Sequence, residues 1–219
     1  VIMLAGIVAL GITNHCYAQQ NISVFLRKYS QQEGLSSFYA RQVIQDKYGF
    51  LYIATQEGLD RFDGKTFVHY RKTNPAYHRL AGIDIRRMVE DSTSNLLWVL
   101  PGENGVNAIN TITGKVIKFI PVVRDNENEW NLTLFQYNGK LLIGTSVGVK
   151  VYDIKQNRFL QKLVIQQSNP DNDEAYQVRA INKDAAGNIW VCYSGYGIVI
   201  YNSSLQRIGF IDRKSTRLN

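Results

Sequence analysis

The chain has 219 residues, 45% apolar, 20% charged and 11% aromatic, and 25 Lys and Arg against 18 Asp and Glu give a net charge of +7. That balance excludes a disordered or low-complexity chain, and the length admits one large core or two small ones. The charge is no nucleic-acid footprint: Arg213, Lys214 and Arg217 supply three of the seven, leaving 7 − 3 = +4, and no basic helix accompanies them.

In chain order, residues 1–12 are apolar and uncharged, and Cys16-Tyr17-Ala18 follows as a small-x-small pattern. Residues 1–18 therefore read as a secretory signal peptide truncated at its start, cut after Ala18, which predicts an exported, periplasmic protein beginning at Gln19. An apolar run of this length is short for a membrane span of roughly 20 residues. Removing the segment leaves one cysteine, Cys192, which has no histidine in its repeat and reads as a small hydrophobe. His69 and His78 make no zinc signature, so neither metal nor cofactor is expected.

Residues 19–38 form a lead-in. Positions 24–29 predict a lone strand able to complete the last sheet of a circular array, and Gly34-Leu35-Ser36-Ser37 predicts a loop. Residues 39–211 then repeat. Gly49-Phe50-Leu51-Tyr52-Ile53 recurs as Asn95-Leu96-Leu97-Trp98-Val99, Gly139-Lys140-Leu141-Leu142-Ile143 and Gly187-Asn188-Ile189-Trp190-Val191. The anchors Tyr52, Trp98, Leu142 and Trp190 stand 46, 44 and 48 residues apart. Gly58, Gly105, Gly148 and Gly197 are each followed four places on by Phe62, Ile109, Tyr152 and Tyr201, then by Asp63, Asn110, Asp153 and Asn202.

Each repeat holds four strand-like runs bounded by turn residues. In the first they are expected near 41–45, 50–55, 58–62 and 66–70. Four such units, about 39–72, 85–120, 131–163 and 178–211, predict an all-β protein made of β-propeller blades. The acidic residues sit mostly at the recurring turns (Asp46, Asp63, Asp91, Asp153, Asp184), where Asp serves backbone hydrogen bonding. Arg41, Arg86 and Arg179 each precede such an Asp by five places, with Asn131 at that place in the third unit. At the starts of innermost strands they would form a basic rim for an acidic ligand, or else brace neighbouring blades.

The first and fourth units carry a family resemblance. Asp46-x-x-Gly49-Phe50-Leu51-Tyr52-Ile53-Ala54-Thr55-x-x-Gly58-Leu59-x-x-Phe62-Asp63-Gly64 and Asp184-x-x-Gly187-Asn188-Ile189-Trp190-Val191 resemble the two-component regulator propeller repeat, as does the lead-in Gly34-Leu35-Ser36-Ser37. The second and third units depart, with Ser92-Thr93-Ser94 after Asp91 and Gln136 in place of Asp.

The resemblance implies the periplasmic sensor region of a hybrid histidine kinase of Bacteroidetes-type bacteria, in many cases answering to glycan fragments. It also implies a ring of seven blades. Four would then be an N-terminal arc with apolar outer faces on the first and last. Separately, residues 212–219, DRKSTRLN, depart from the repeat and resemble the translated ends of unrelated gene models, so they read as a non-native tail. The partners implied are an oligo- or polysaccharide, the remaining blades and membrane-anchored signalling domains, with a homodimer left open and no nucleic acid. No phospho-acceptor histidine motif or Gly-rich ATP loop occurs in the sequence, so no catalysis is expected of it. The alternatives are a propeller interaction scaffold and, further off, a polysaccharide-degrading propeller enzyme.

Overall fold

The computed structural model describes residues 27–102, 104–122, 129–165 and 177–212. The expected signal segment with its cut after Ala18, and all of the expected tail except Asp212, lie outside them.

The chain forms four sheets of four antiparallel strands, each built from one sequence unit in simple meander order. Sheet one is β1 (Ala40–Gln45), β2 (Leu51–Thr55), β3 (Gly58–Phe62) and β4 (Phe67–Tyr70). Sheet two is β5 (Ile85–Asp91), β6 (Leu96–Pro101), β7 (Gly105–Asn110) and β8 (Lys115–Pro121). Sheet three is β9 (Asn131–Tyr137), β10 (Lys140–Thr145), β11 (Gly148–Asp153) and β12 (Arg158–Leu163). Sheet four is β13 (Val178–Lys183), β14 (Ile189–Tyr193), β15 (Gly197–Tyr201) and β16 (Arg207–Asp212). The first strands of successive sheets pack side by side, β1 on β5, β5 on β9 and β9 on β13, so they are the inner strands of four propeller blades.

Three apolar clusters lie between the blades. Tyr52, Leu59, Tyr70, Ile85, Met88 and Leu97 fill the first junction. Trp98, Leu100, Val106, Leu134 and Leu141 fill the second, and Leu142, Val149, Val178, Val191 and Val199 the third. Central strands read as apolar runs because both of their faces meet a neighbouring blade. One polar link ties inner strands directly: the Gln42 amide donates to the Met88 carbonyl at 3.1 Å and accepts from the Met88 N–H at 2.8 Å.

The repeated glycines have a steric cause. Gly58, Gly105, Gly148 and Gly197 open the third strand of each blade with φ between 130° and 137°. A Cβ there would lie 2.5 Å from the Tyr70 carbonyl oxygen at Gly58, 2.1 Å from that of Ile120 at Gly105 and 2.6 Å from that of Leu163 at Gly148. No side chain fits. The bulky residue four places on is buried in every blade.

The Asp or Asn after it accepts backbone N–H bonds across the turn into the fourth strand. Lys65 and Thr66 donate to Asp63, Thr113 to Asn110, Gln156 to Asp153, and Ser204 and Gln206 to Asn202.

The departures of units two and three are substitutions of one turn for another. In blades one and four the first turn uses Gly49 (φ 91°) and Gly187 (φ 87°), with Asp46 accepting from the Tyr48 and Phe50 N–H groups. Blade two puts Asn95 in the left-handed region (φ 53°) and lets Asp91 accept from Thr93 Oγ1 and the Ser94 N–H. Blade three uses the two-residue turn Asn138-Gly139, both at positive φ, as a tight hairpin requires.

Half of the expected lone strand lies outside the described residues. Of positions 24–29 only 27–29 fall in the described residues, and these have no strand pairing there. The segment lies on the face of blade one turned away from blade two. Tyr29 packs edge-on against Phe62 and Phe67 at centroid distances of 4.8 and 6.1 Å. A short 3₁₀ turn, Gln31–Glu33, is capped by Ser30 and closed by Gly34 (φ 105°), which rests against the Phe67 ring. The lead-in thus covers Asp60 and Phe62 on this blade-one face, while Leu51 and Ile53 stay partly buried and Val43 is 55% exposed.

Candidate functional site at the strand-start end of the blades

Antiparallel pairing sends the starts of the inner strands, the turns between second and third strands and the ends of the fourth strands to one end of the blades. That end gathers the candidate residues. In all four sheets the inner strand carries one extra residue at its start. Ala40 pairs with Thr55 and Gln42 with Ala54, so Arg41 is a bulge. By the same reading Arg86, Leu132 and Arg179 are the bulged residues of β5, β9 and β13. The three arginines singled out by spacing are therefore the residues that a bulge re-aims at a sheet rim. The third-unit equivalent is Leu132 and not Asn131, because the anchor partner Phe135 lies three places beyond Leu132 just as Ile44 lies three beyond Arg41.

Arg41 and Arg86 meet on one carboxylate. Asp84 Oδ1 lies 3.0 Å from Arg41 Nη2 and Nε, and Asp84 Oδ2 lies 2.9 Å from Arg86 Nη2. Two cations on one anion leave a local charge of +1, and Asp84 spans the first blade junction. This is the bracing arrangement for those two. Each partner is about a third exposed, so the pair adds about 0–1 kcal/mol to stability. Gly102 allows it: a Cβ there would lie 2.9 Å from Arg86 Nε. Arg179 stands apart on blade four, exposed and without an ion-pair or hydrogen-bond partner among the described residues. The same end exposes Phe38 (69%), Tyr39 (55%) and Trp130 (45%).

Of the structural repeat residues, Gly58, Gly105, Gly148 and Gly197 open the third strands at this same end, and the rest occupy other places. Tyr52 and Trp98 are fully buried anchors. Trp190 is half-buried and donates its indole N–H to Asp184 Oδ2 at 2.9 Å. Asp46, Gly49, Asp184 and Gly187 build turns at the opposite end, remote from the arginines along the strands. Bonds from Trp190 and Asn188 hold the Asp184 carboxyl below its usual range. Cys192 is half-buried, and burial pushes its thiol up.

One cluster escaped sequence reasoning. Asp60, fully buried on β3, accepts from the Ser36 N–H (2.7 Å), the Ser36 hydroxyl and His69 Nδ1 (2.7 Å), while Arg71 Nη2 donates to Ser36 Oγ (3.0 Å). Ser, His and Asp suggest a hydrolytic relay. In such a relay the hydroxyl and the carboxylate address opposite ring nitrogens. Here both address Nδ1, Ser36 Oγ at 3.0 Å, so the cluster fastens the lead-in to blade one. The signal was available in hindsight: Asp60 and His69 are cross-strand partners. Among the described residues, no three His, Cys, Asp or Glu side chains gather as metal ligands, and no helix is long and apolar enough to cross a membrane.

No protein-family model matches the chain. Two crystal structures of the extracellular domain of BT4673 from B. thetaiotaomicron, assigned as a hybrid two-component system in one and a one-component system in the other, share this fold. The TM-scores are 0.65 and 0.64 at 18% and 22% identity, over 83% of this chain. The WD40 β-propeller domain of Doa1 superimposes with a TM-score of 0.57 at 12% identity, over 77% of this chain and 51% of that one. Among curated proteins, histidine kinase P4 of Formosa agariphila is 39% identical over 56 residues, 26% of this chain and 4% of its own length. The chain spans only 23% and 26% of the two BT4673 structures. The fold is that of a β-propeller, and extracellular domains assigned to bacterial two-component systems are among the proteins that share it.

Proposed function

We propose that this chain is the ligand-sensing propeller region of an exported two-component regulatory sensor, that its ligands are glycan-derived, and that it has no catalysis of its own. The observation that carries the reading is the bulge: three of four blades spend a β-bulge on turning an arginine toward one end of the blades, where exposed aromatic rings also collect. Aromatic faces, the guanidinium of Arg179, unpaired among the described residues, and the net charge of +1 left at the Arg41–Asp84–Arg86 brace suit the apolar faces and hydroxyls or carboxylates of a sugar chain. The similarity to extracellular sensor domains supports the same reading, and output then belongs to membrane-anchored domains of a longer protein.

A thermal-shift panel of neutral and acidic oligosaccharides against the purified protein tests it. A saturable rise in Tm with at least one of them is expected. A protein that melts cooperatively and responds to none would overturn the sensing role.

The same reading counts further blades of a longer protein among the partners, and one observation supports them. Trp190, Cys192, Ile198, Ile200 and Ile211 share the face of blade four turned away from blade three, and all are only partly buried. We propose that a further blade of the longer protein covers this face.

A further inference from the structure

A concavity opens at the same end of the blades, further from the inner strands. It has a volume of about 540 Å³ and is lined by Lys72, Arg79, Leu80, Ala81, Asn104, Asn107 and Phe119. One wall is the excursion from β4 to β5, the other is the rim of β7 and β8. The walls are tied together by two asparagines: the Ala81 N–H donates to Asn107 Oδ1 at 2.9 Å, and Asn104 Nδ2 donates to the Ala81 carbonyl at 3.0 Å. Asn107 is 2% exposed and Asn104 holds a left-handed backbone (φ 65°), so this closure is built into the fold. The excursion is further pinned by the Leu80 N–H on the Arg71 carbonyl and by Arg79 Nε on the Asn74 carbonyl.

What remains unspent faces outward. Among the described residues Lys72 has no hydrogen-bond or ion-pair partner, and the guanidinium of Arg79 is committed only through Nε. Phe119 is 46% exposed, with its ring edge over Gly105. Two cations with free donors, one aromatic face and a preformed cleft of this size fit one or two rings bearing a negative group.

We propose that this cleft binds a ring compound carrying a carboxylate or sulfate, with Lys72 and Arg79 taking the anion and Phe119 the ring face. The proposal rests on the sensing reading and places an acidic ligand group in a side cleft between blades one and two, away from the Arg41–Asp84–Arg86 brace.

Calorimetric titration of the purified protein with D-glucuronate, D-glucose, benzoate and inorganic sulfate tests it, on the wild type, on Lys72→Ala/Arg79→Ala and on Phe119→Ala. Saturable binding of glucuronate or benzoate is expected, at least tenfold weaker for glucose and for the double variant. Phe119→Ala should weaken the organic anions but leave any residual sulfate binding unchanged. The tighter of glucuronate and benzoate identifies a sugar acid or an aromatic acid as the ligand. Sulfate binding as tightly as either organic anion, equal binding by wild type and double variant, or no binding of either organic anion at millimolar concentration would each overturn the cleft. None of these results would touch the sensing reading, which stands or falls on the oligosaccharide panel.

Discussion

At the scale of single residues the repeat is a set of backbone solutions. Gly105 and Gly148 combine positive φ with a carbonyl oxygen where a Cβ would go, whereas Gly139 has positive φ and open space around it. Gly105→Ala and Gly148→Ala should therefore each cost about 2–3 kcal/mol, lowering Tm by roughly 4–12 °C, and Gly139→Ala about half as much. Calorimetric melting checks the order. Asp63 and Asp184 carry depressed pKa values, Asp63 through N–H bonds from Thr66 and Lys65 and Asp184 first through Trp190. A carboxylate favoured in the folded state stabilises it above the free value of 3.8, and that contribution is lost as pH falls through the folded value. The melting temperature should thus be flat from neutral pH to about 5 and fall below about 3.8, with a shallower acid limb in Asp63→Asn/Asp184→Asn. At the alkaline side burial pushes Tyr70 up to about 12, so its contribution is present below the free value of 10.0 and fades above it. These positions were legible in the sequence because turn chemistry is local. The exchange of Gly49 for Asn95, and of an Asp turn for Asn138-Gly139, was visible only as a departure from the pattern, since its meaning lies in φ.

At the scale of elements the four-strand rhythm could be read directly, and in the first unit expected and observed strand limits agree within a residue. The bulges could not be read. A bulge exists only in the pairing of two strands, so sequence spacing located Arg41, Arg86 and Arg179 but misplaced their third-blade equivalent. The attachment of the lead-in to blade one was missed for a related reason. Its partners, Asp60, Phe62, Phe67 and His69, lie 24 or more residues away from the Ser36 that meets Asp60, and no local propensity announces such a contact. Removing the buried acceptor should release the segment. Asp60→Ala strands three donors and should cost about 2–3 kcal/mol. Limited proteolysis should then cut within residues 27–39 before any blade is lost, whereas equal resistance in wild type and variant would show that the aromatic contacts of Tyr29 suffice.

At the scale of the molecule the two outer faces are unlike. On blade one the lead-in covers Asp60 and Phe62 and leaves Leu51 and Ile53 partly buried, whereas on blade four Trp190, Cys192, Ile198, Ile200 and Ile211 are all only partly buried. An apolar sheet face of this kind drives association. Size-exclusion chromatography should show the protein self-associating, and Ile198→Lys/Ile200→Lys should return it to a monomer. A wild-type monomer at tens of micromolar would mean that this face needs no cover. The central claim is that ligand is read at the strand-start end of the blades, and hydrogen exchange tests it most directly. With the oligosaccharide giving the largest thermal shift, protection should rise over residues 38–41, 72–86, 130–132 and 177–179 and stay unchanged in the opposite turns at 46–49, 63–66 and 184–188. Protection confined to those opposite turns would contradict the account.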